Sequence, residues 1–233
     1  VILENEIALG GNPPPTAYQI ERSLRFNSAD SAALTWTPAS AGSRTTWTFS
    51  GWLKRAVTGA DTFILSSSGG NSNDLVLNCY INASNKFVID SYTNTYRVST
   101  QVFRDVGAWM HVVVVWDTNN GTAQSRARVW VNNTEITVWD TNATISSGQL
   151  GGINGAYPHA IGRREGINDR FFSGYMAEVN FIDGLALDPT SFGEFNSNTG
   201  VWSPLAYTGS YGNNGFYLPF NDNSTVLNLG RNR

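Results

Sequence analysis

The residues with the clearest chemical capacity lie in FFSGYMAEVNFIDG (171–184), where two carboxylates, Glu178 and Asp183, and one amide, Asn180, interrupt an apolar run. Two carboxyls that serve one glycosidic bond must share a face, about 5–5.5 Å apart, one as nucleophile and one as acid/base. Period-two counting puts Glu178 and Asn180 on one face with Met176 and Ile182. It puts Asp183 on the other, with Tyr175, Ala177, Val179 and Phe181. A bulge would be needed to bring Asp183 back, and the Gly184 that follows makes a strand-ending turn signal. The expectation is a plain strand in which Tyr175, Val179 and Phe181 pack inward and Glu178 caps an arginine or a loop amide.

Other chemistry fails sooner. His111 stands in a run of valines and reads as a packed or hydrogen-bonded core histidine; His159 follows Pro158 near a loop. Two histidines so far apart make no zinc site. There is no G-x-S-x-G elbow and no phosphate-cradling glycine loop. Cys79 in VLNCYIN reads as a small buried side chain, and as the only cysteine it excludes an internal disulfide framework. Arg163 and Arg164 stand at a strand end, where ion pairs with Glu165 or Asp169 are favoured over contact with an acidic partner or sugar. No catalytic residue, cofactor or metal is expected. Tyr157 is the candidate for a ring that stacks on a sugar. Sequons begin at Asn82, Asn132, Asn142 and Asn223, as chance allows in a chain rich in Asn, Ser and Thr.

The elements that must position these residues are strands. The 233 residues are 41% hydrophobic, enough for a full core. Aromatic, β-branched and turn residues are plentiful and good helix formers are scarce. TTWTFSGWLKR (45–55) alternates, with Trp47, Phe49 and Leu53 on one side; Trp52 breaks the alternation, so the polar side is partly covered. DTFILSS (61–67), DLVLNCYI (74–81), KFVIDSY (86–92) and YRVSTQV (96–102) follow, separated by turn chemistry. WMHVVVVWD (109–117) is apolar on both faces and reads as a central strand. TNNG (118–121) gives a hairpin signal, ARVWVN (127–132) continues, and HAIGRR (159–164) and FYLPF (216–220) are later strands. LDPTSFGEF (187–195) can hold one short turn, capped by Asp188 with Pro189 at its first position. Short strands at this spacing indicate a β-sandwich.

Residues 1–20 read as an N-terminal arm, since GGNPPPT fits neither helix nor central strand. Residues 21–233 read as a single sandwich domain with a loop-rich C-terminal extension. The net charge of −3 does not suggest nucleic acid or an anionic membrane as partner. No apolar run approaches the ~20 residues of a membrane span. No basic segment followed by an apolar one reads as a signal peptide. The opening Val1 suggests processing or a piece of a longer protein.

The stretch 22–55, together with AWMHVVVVWDT (108–118), ARVWVNNTEIT (127–137), HAIGRR and GYMAEVNFIDGLALDPTSFGE (174–194), resembles laminin-G-like, concanavalin A-like domains. FIDGLALDPTSFGEF and TGVWSPLAYTGSYGNNGFYLPF (199–220) are similar to a subgroup in structural proteins of tailed, especially marine, phages. The resemblance spans roughly residues 20–220 and implies an all-β jelly-roll sandwich of two antiparallel sheets with a face that holds sugars or proteins. Laminin-G domains often bind calcium through acidic loop residues. Asp117 is the nearest candidate here, but it reads as a turn residue, because such an ion needs about six or more oxygens. Retaining glycosidases of this sandwich class carry E-x-D-x-E or E-x-D-x-x-E on one strand. Here Asn180 replaces the middle acid and Asp183 the last Glu, so no enzyme is expected.

The resemblance therefore implies a virion-surface protein made in the host cytoplasm: a capsid-decoration or fibre subunit. It would touch other virion proteins through the 1–20 arm, pack as a homo-oligomer (a trimer by analogy), and meet host cell-surface glycan. The alternatives are a lectin-like module of a secreted protein and, less favoured, a glycan depolymerase.

Overall fold

A computed structural model describes residues 18–221. The arm expected at 1–20 therefore lies, up to residue 17, outside the described residues, as does the sequon at Asn223. The described residues form sixteen strands. In chain order they are β1 (Leu24–Phe26), β2 (Leu34–Trp36), β3 (Thr46–Arg55), β4 (Thr62–Ser68), β5 (Val76–Ile81), β6 (Lys86–Asp90), β7 (Thr95–Val102) and β8 (Met110–Asp117), then β9 (Ala127–Val131), β10 (Thr134–Glu135), β11 (Trp139–Asn142), β12 (His159–Ile161), β13 (Gly174–Asp183), β14 (Gly193–Phe195), β15 (Trp202–Pro204) and β16 (Phe216–Leu218).

Two seven-stranded antiparallel sheets hold the core between them. One runs β1-β13-β3-β8-β9-β10 with β16 also on β13; the other runs β11-β7-β6-β5-β4-β12-β2. This is the expected all-β sandwich. Trp47, Phe49, Val179 and Phe181 all lie in the main core, as the alternation requires. The expected central strand, β8, sits between β3 and β9. Its Val112 and Val114 enter the main core. Val113 and Val115 face the other way, with Ile182 of β13, under Phe192, Tyr207 and Tyr211 of the C-terminal segment. That segment covers the outer face of the first sheet, which explains a strand apolar on both sides.

The turn expected at Asp188 is a single 3-10 turn, Pro189–Ser191, whose cap Asp188 accepts from the Thr190 amide. The TNNG hairpin is longer than a two-residue turn: a 3-10 turn, Ala123–Arg126, stands between β8 and β9. Asp117 serves that loop, accepting from Thr46 Oγ1 and Asn120 Nδ2.

The period-two count fails at one place. Ala177 opposes Trp52 and Asn180 opposes Ser50, so Glu178 and Val179 share Gly51 as their partner. Glu178 takes φ +50 there, a left-handed conformation rare for a non-glycine residue. This bulge shifts the parity of everything before it. Met176, counted outward, enters the main core; Tyr175, counted inward, is 37% exposed.

Candidate functional site

The bulge also decides the fate of the two carboxylates. The Glu178 carboxylate is not paired with an arginine or a loop amide. Its Oε2 accepts the hydroxyls of Tyr18 and Tyr217, each at 2.6 Å. Burial pushes the Glu178 carboxyl above its ordinary range, against the lowering effect of the two phenols; Tyr18 is pushed up to about 12, chiefly by burial and by its bond to Glu178. Asp183 joins a different network. Its Oδ1 accepts from the Ser43 amide at 2.8 Å and Asn154 Nδ2 at 2.6 Å, and its Oδ2 from the Asn214 amide at 3.1 Å. Asn180 donates to the Glu178 carbonyl and accepts from Tyr211. The three residues of the opening motif thus bind three sets of partners.

His111 is buried beneath Trp52 and Trp202. Trp202 Nε1–H donates to its Nδ1 at 3.1 Å, so its Nε2–H donates to Ser50 Oγ at 2.8 Å. Burial lowers its pKa to about 3. At His159, Nε2 accepts the Asn154 amide at 2.8 Å and Nδ1–H donates to the Tyr157 carbonyl at 2.7 Å. Its pKa falls to about 4, with burial the leading cause. Both rings are held neutral in one tautomer. Cys79 is buried in the core.

Tyr157 is half-buried. Its ring lies parallel to that of His159, 5.7 Å between centroids, and the Arg44 guanidinium sits over it at 5.7 Å. Arg163 pairs with Glu165 at 2.8 Å, and Arg164 with Asp169 through two hydrogen bonds of 2.7 and 2.6 Å, the pairings expected from their spacing.

A different constellation forms a pocket on the outer face of the second sheet. Along β5, Leu77, Cys79 and Ile81 enter the core, so Asn78 and Tyr80 point outward. On β6, Phe87 and Ile89 enter the core, so Val88 and Asp90 point outward. Asn78 stands opposite Asp90 in register and donates from Nδ2 to Oδ1 at 2.8 Å; Tyr80 donates its hydroxyl to Oδ2, also at 2.8 Å. Phe63, which lines the pocket, stacks on Tyr80 at 4.3 Å and 7° and packs with Val88 and Val98.

The walls are the 68–71 turn and the 163–170 loop. That loop is anchored to β4 through Ser66, which donates to the Arg163 carbonyl and accepts from the Glu165 amide. Gly166, at φ +85, lets it pass close to Ser68: a Cβ there would lie 2.5 Å from Ser68 Oγ. The volume enclosed is about 290 Å³, at the small end of ligand sites. Tyr92 lines it and is 51% exposed. Burial raises the Asp90 carboxyl above its ordinary range, partly countered by Asn78 and Tyr80 and by the charges of Arg170 and Arg164. Among the described residues Asp90 makes no salt bridge, and no group of three or more His, Cys, Asp or Glu could hold a metal.

No curated protein matches the chain. Among solved structures, the heptameric SAP-like pentraxin of Limulus polyphemus shares 16% identity at TM-score 0.46, covering 66% of this chain and 70% of that one. A putative carbohydrate-binding protein of Bacteroides ovatus shares 16% at TM-score 0.48, covering 71% of this chain and 44% of that one. NanB, solved with Optactamide, shares 13% at TM-score 0.51, covering 75% of this chain and 28% of that one. The last is a likeness of fold alone, and it agrees with the two-sheet sandwich. A laminin-G family model, described as the Concanavalin A-like lectin/glucanases superfamily, matches residues 27–191, more than two thirds of the 233. With that match over this fold, the chain belongs to the laminin-G branch of the concanavalin A-like lectin/glucanases superfamily.

Proposed function

We propose that this chain is a non-enzymatic, glycan-binding sandwich on the surface of a phage virion, with its sugar site at the Asn78–Asp90 pocket. The observation that carries the binding reading is the pocket itself: an outward amide–carboxylate pair beside the Phe63 ring and one exposed ring, Tyr92. Convergent polar groups set beside aromatic rings in a concavity are a general form of small-ligand site. Membership of a lectin-type superfamily supports it. The non-enzymatic reading is supported by Glu178 and Asp183, which are engaged in separate hydrogen-bond networks. The virion reading is supported by the phage-like wording of 181–195 and 199–220.

In this account copies of the chain pack as a closed homo-oligomer and hold the particle through residues 1–20, while the pocket meets host glycan. Weak single sites would gain from repetition. Immunogold labelling of particles with antibody raised against the chain tests the location: surface label supports the virion reading, and label only on secreted cellular protein replaces it with the lectin-module reading. Deleting residues 1–16 should leave the sandwich folded and release it from the particle; full retention would refute the anchor.

A further inference from the structure

The pocket's polar groups differ in what they still have to offer. The two guanidinium groups that line it are engaged, Arg164 with Asp169 and Arg170 with Asp61 at 2.5 Å, and the lining carboxylate Glu165 is held by Arg163. Asp90 is the carboxylate left over. Its partners are two neutral donors, Asn78 Nδ2 and Tyr80 OH, one on each oxygen. A carboxylate accepts about four hydrogen bonds, so each oxygen retains capacity.

Asn78 is 6% exposed and lines the pocket. Because its Nδ2 must face the carboxylate, its carbonyl Oδ1 is turned elsewhere, and that atom is buried without a hydrogen-bond partner. An unsatisfied buried acceptor in a native structure calls for an explanation. Oδ1 has no exposed surface, so it is out of a ligand's reach, and it goes unsatisfied because Nδ2 serves Asp90. The group still open to a ligand is thus an acceptor, Asp90: of the charged side chains that line the pocket (Asp90, Glu165, Arg164 and Arg170), the other three are ion-paired.

From these observations we infer that the pocket selects an uncharged sugar, held by hydroxyl donation to Asp90, and disfavours sugars that carry a carboxylate. The inference rests on the glycan-binding reading and narrows its ligand class. A neutral ring supplies hydroxyl donors to Asp90 and lays an apolar face on Tyr92. A carboxylated sugar brings an acceptor to a site whose open group is itself an acceptor, and meets the Asp90 charge at short range, where opposed like charges cost most.

The experiment is calorimetric titration of the full chain with two groups of probes. The neutral group is maltotriose, cellotriose, laminaritriose and mannotriose; the acidic group is 3′-sialyllactose and trigalacturonate. At least one neutral probe should bind at least about tenfold more tightly than either acidic one. Asp90→Asn, checked for an unchanged melting temperature, should lower affinity for that neutral probe by about ten- to a hundredfold, the value of a hydrogen bond to a charged group, and should narrow the gap to the acidic probes. Tighter binding of an acidic probe overturns the inference and leaves the glycan reading standing. Binding to neither group overturns both. Neutral binding that Asp90→Asn leaves unchanged places the sugar elsewhere and overturns the inference and the proposed site, leaving only the broader glycan-binding reading; should that variant lose its fold, the comparison of neutral with acidic probes on the native chain still decides.

Discussion

Asn78 faces Asp90 across β5 and β6 and donates to its carboxylate at 2.8 Å. This contact joins a buried charge to a neutral amide instead of to an arginine. A charge buried beside neutral donors costs stability unless something else is gained, and a cleft is where perturbed carboxyls gather when they serve a ligand.

Tyr92 is the exposed ring at this pocket. Its replacement by alanine should weaken sugar binding about three- to tenfold, the value of about 0.5–1.5 kcal/mol for an aromatic contact, while urea unfolding stays within about 0.5 kcal/mol of the parent. The same change at Tyr157, whose ring lies between His159 and Arg44, should instead cost stability and leave affinity unchanged. An inverted pair of results would return the sugar to Tyr157.

Glu178 ties Tyr18 to Tyr217 on β16. Glu178→Gln should cost about 1–3 kcal/mol of stability, since a charged acceptor of two phenols is replaced by a neutral one. It should leave sugar affinity intact. Neither form should release reducing ends from algal or bacterial polysaccharides; turnover by the parent that the variant abolishes would make this strand catalytic.

The two histidines set the acid limb of stability. Their folded-state pKa values, about 3 for His111 and about 4 for His159, lie below the ordinary value of about 6.5. The unfolded chain therefore takes up protons first. The histidine contribution is whole above pH about 6.5 and is lost as pH falls from there toward the folded values. Asp90 and Glu178, raised by burial, act in the opposite sense: the cost of their charge is relieved as pH falls through their folded values. Between pH 7 and pH 5 the histidines should dominate, with a net loss on the order of 2–4 kcal/mol. Chemical denaturation across that range measures it, and a flat profile would contradict the neutral burial of the two rings.

The sandwich was legible because alternation survives in most strands: Trp47, Phe49 and Leu53 on β3, and the doubly apolar β8, follow directly from spacing. The same count misplaced Tyr175 and Met176, because a bulge made by a glutamate at positive φ leaves no composition signal. Glu178 met tyrosines from both ends of the described chain, contacts no local rule supplies. The pocket was missed for a simpler reason. Asn78 and Asp90 are twelve residues apart and come together through hairpin register. That register was readable: with the turn at Asn82–Asn85, counting back from the pair Ile81–Phe87 leads to Asn78–Asp90. What the count alone does not show is the 163–170 loop that walls the site, which arrives from far along the chain.

Sugar at this pocket would be seen residue by residue in an NMR titration of isotope-labelled chain with the tightest-binding oligosaccharide, following the Asn78 side-chain amide and the backbone amides of both sheets. Saturable shifts are expected at Asn78, Asp90, Tyr92 and residues 164–170, with the Trp52 and Trp109 region of the first sheet unmoved. Shifts confined to that opposite sheet, or none at saturating sugar, would contradict binding at the pocket.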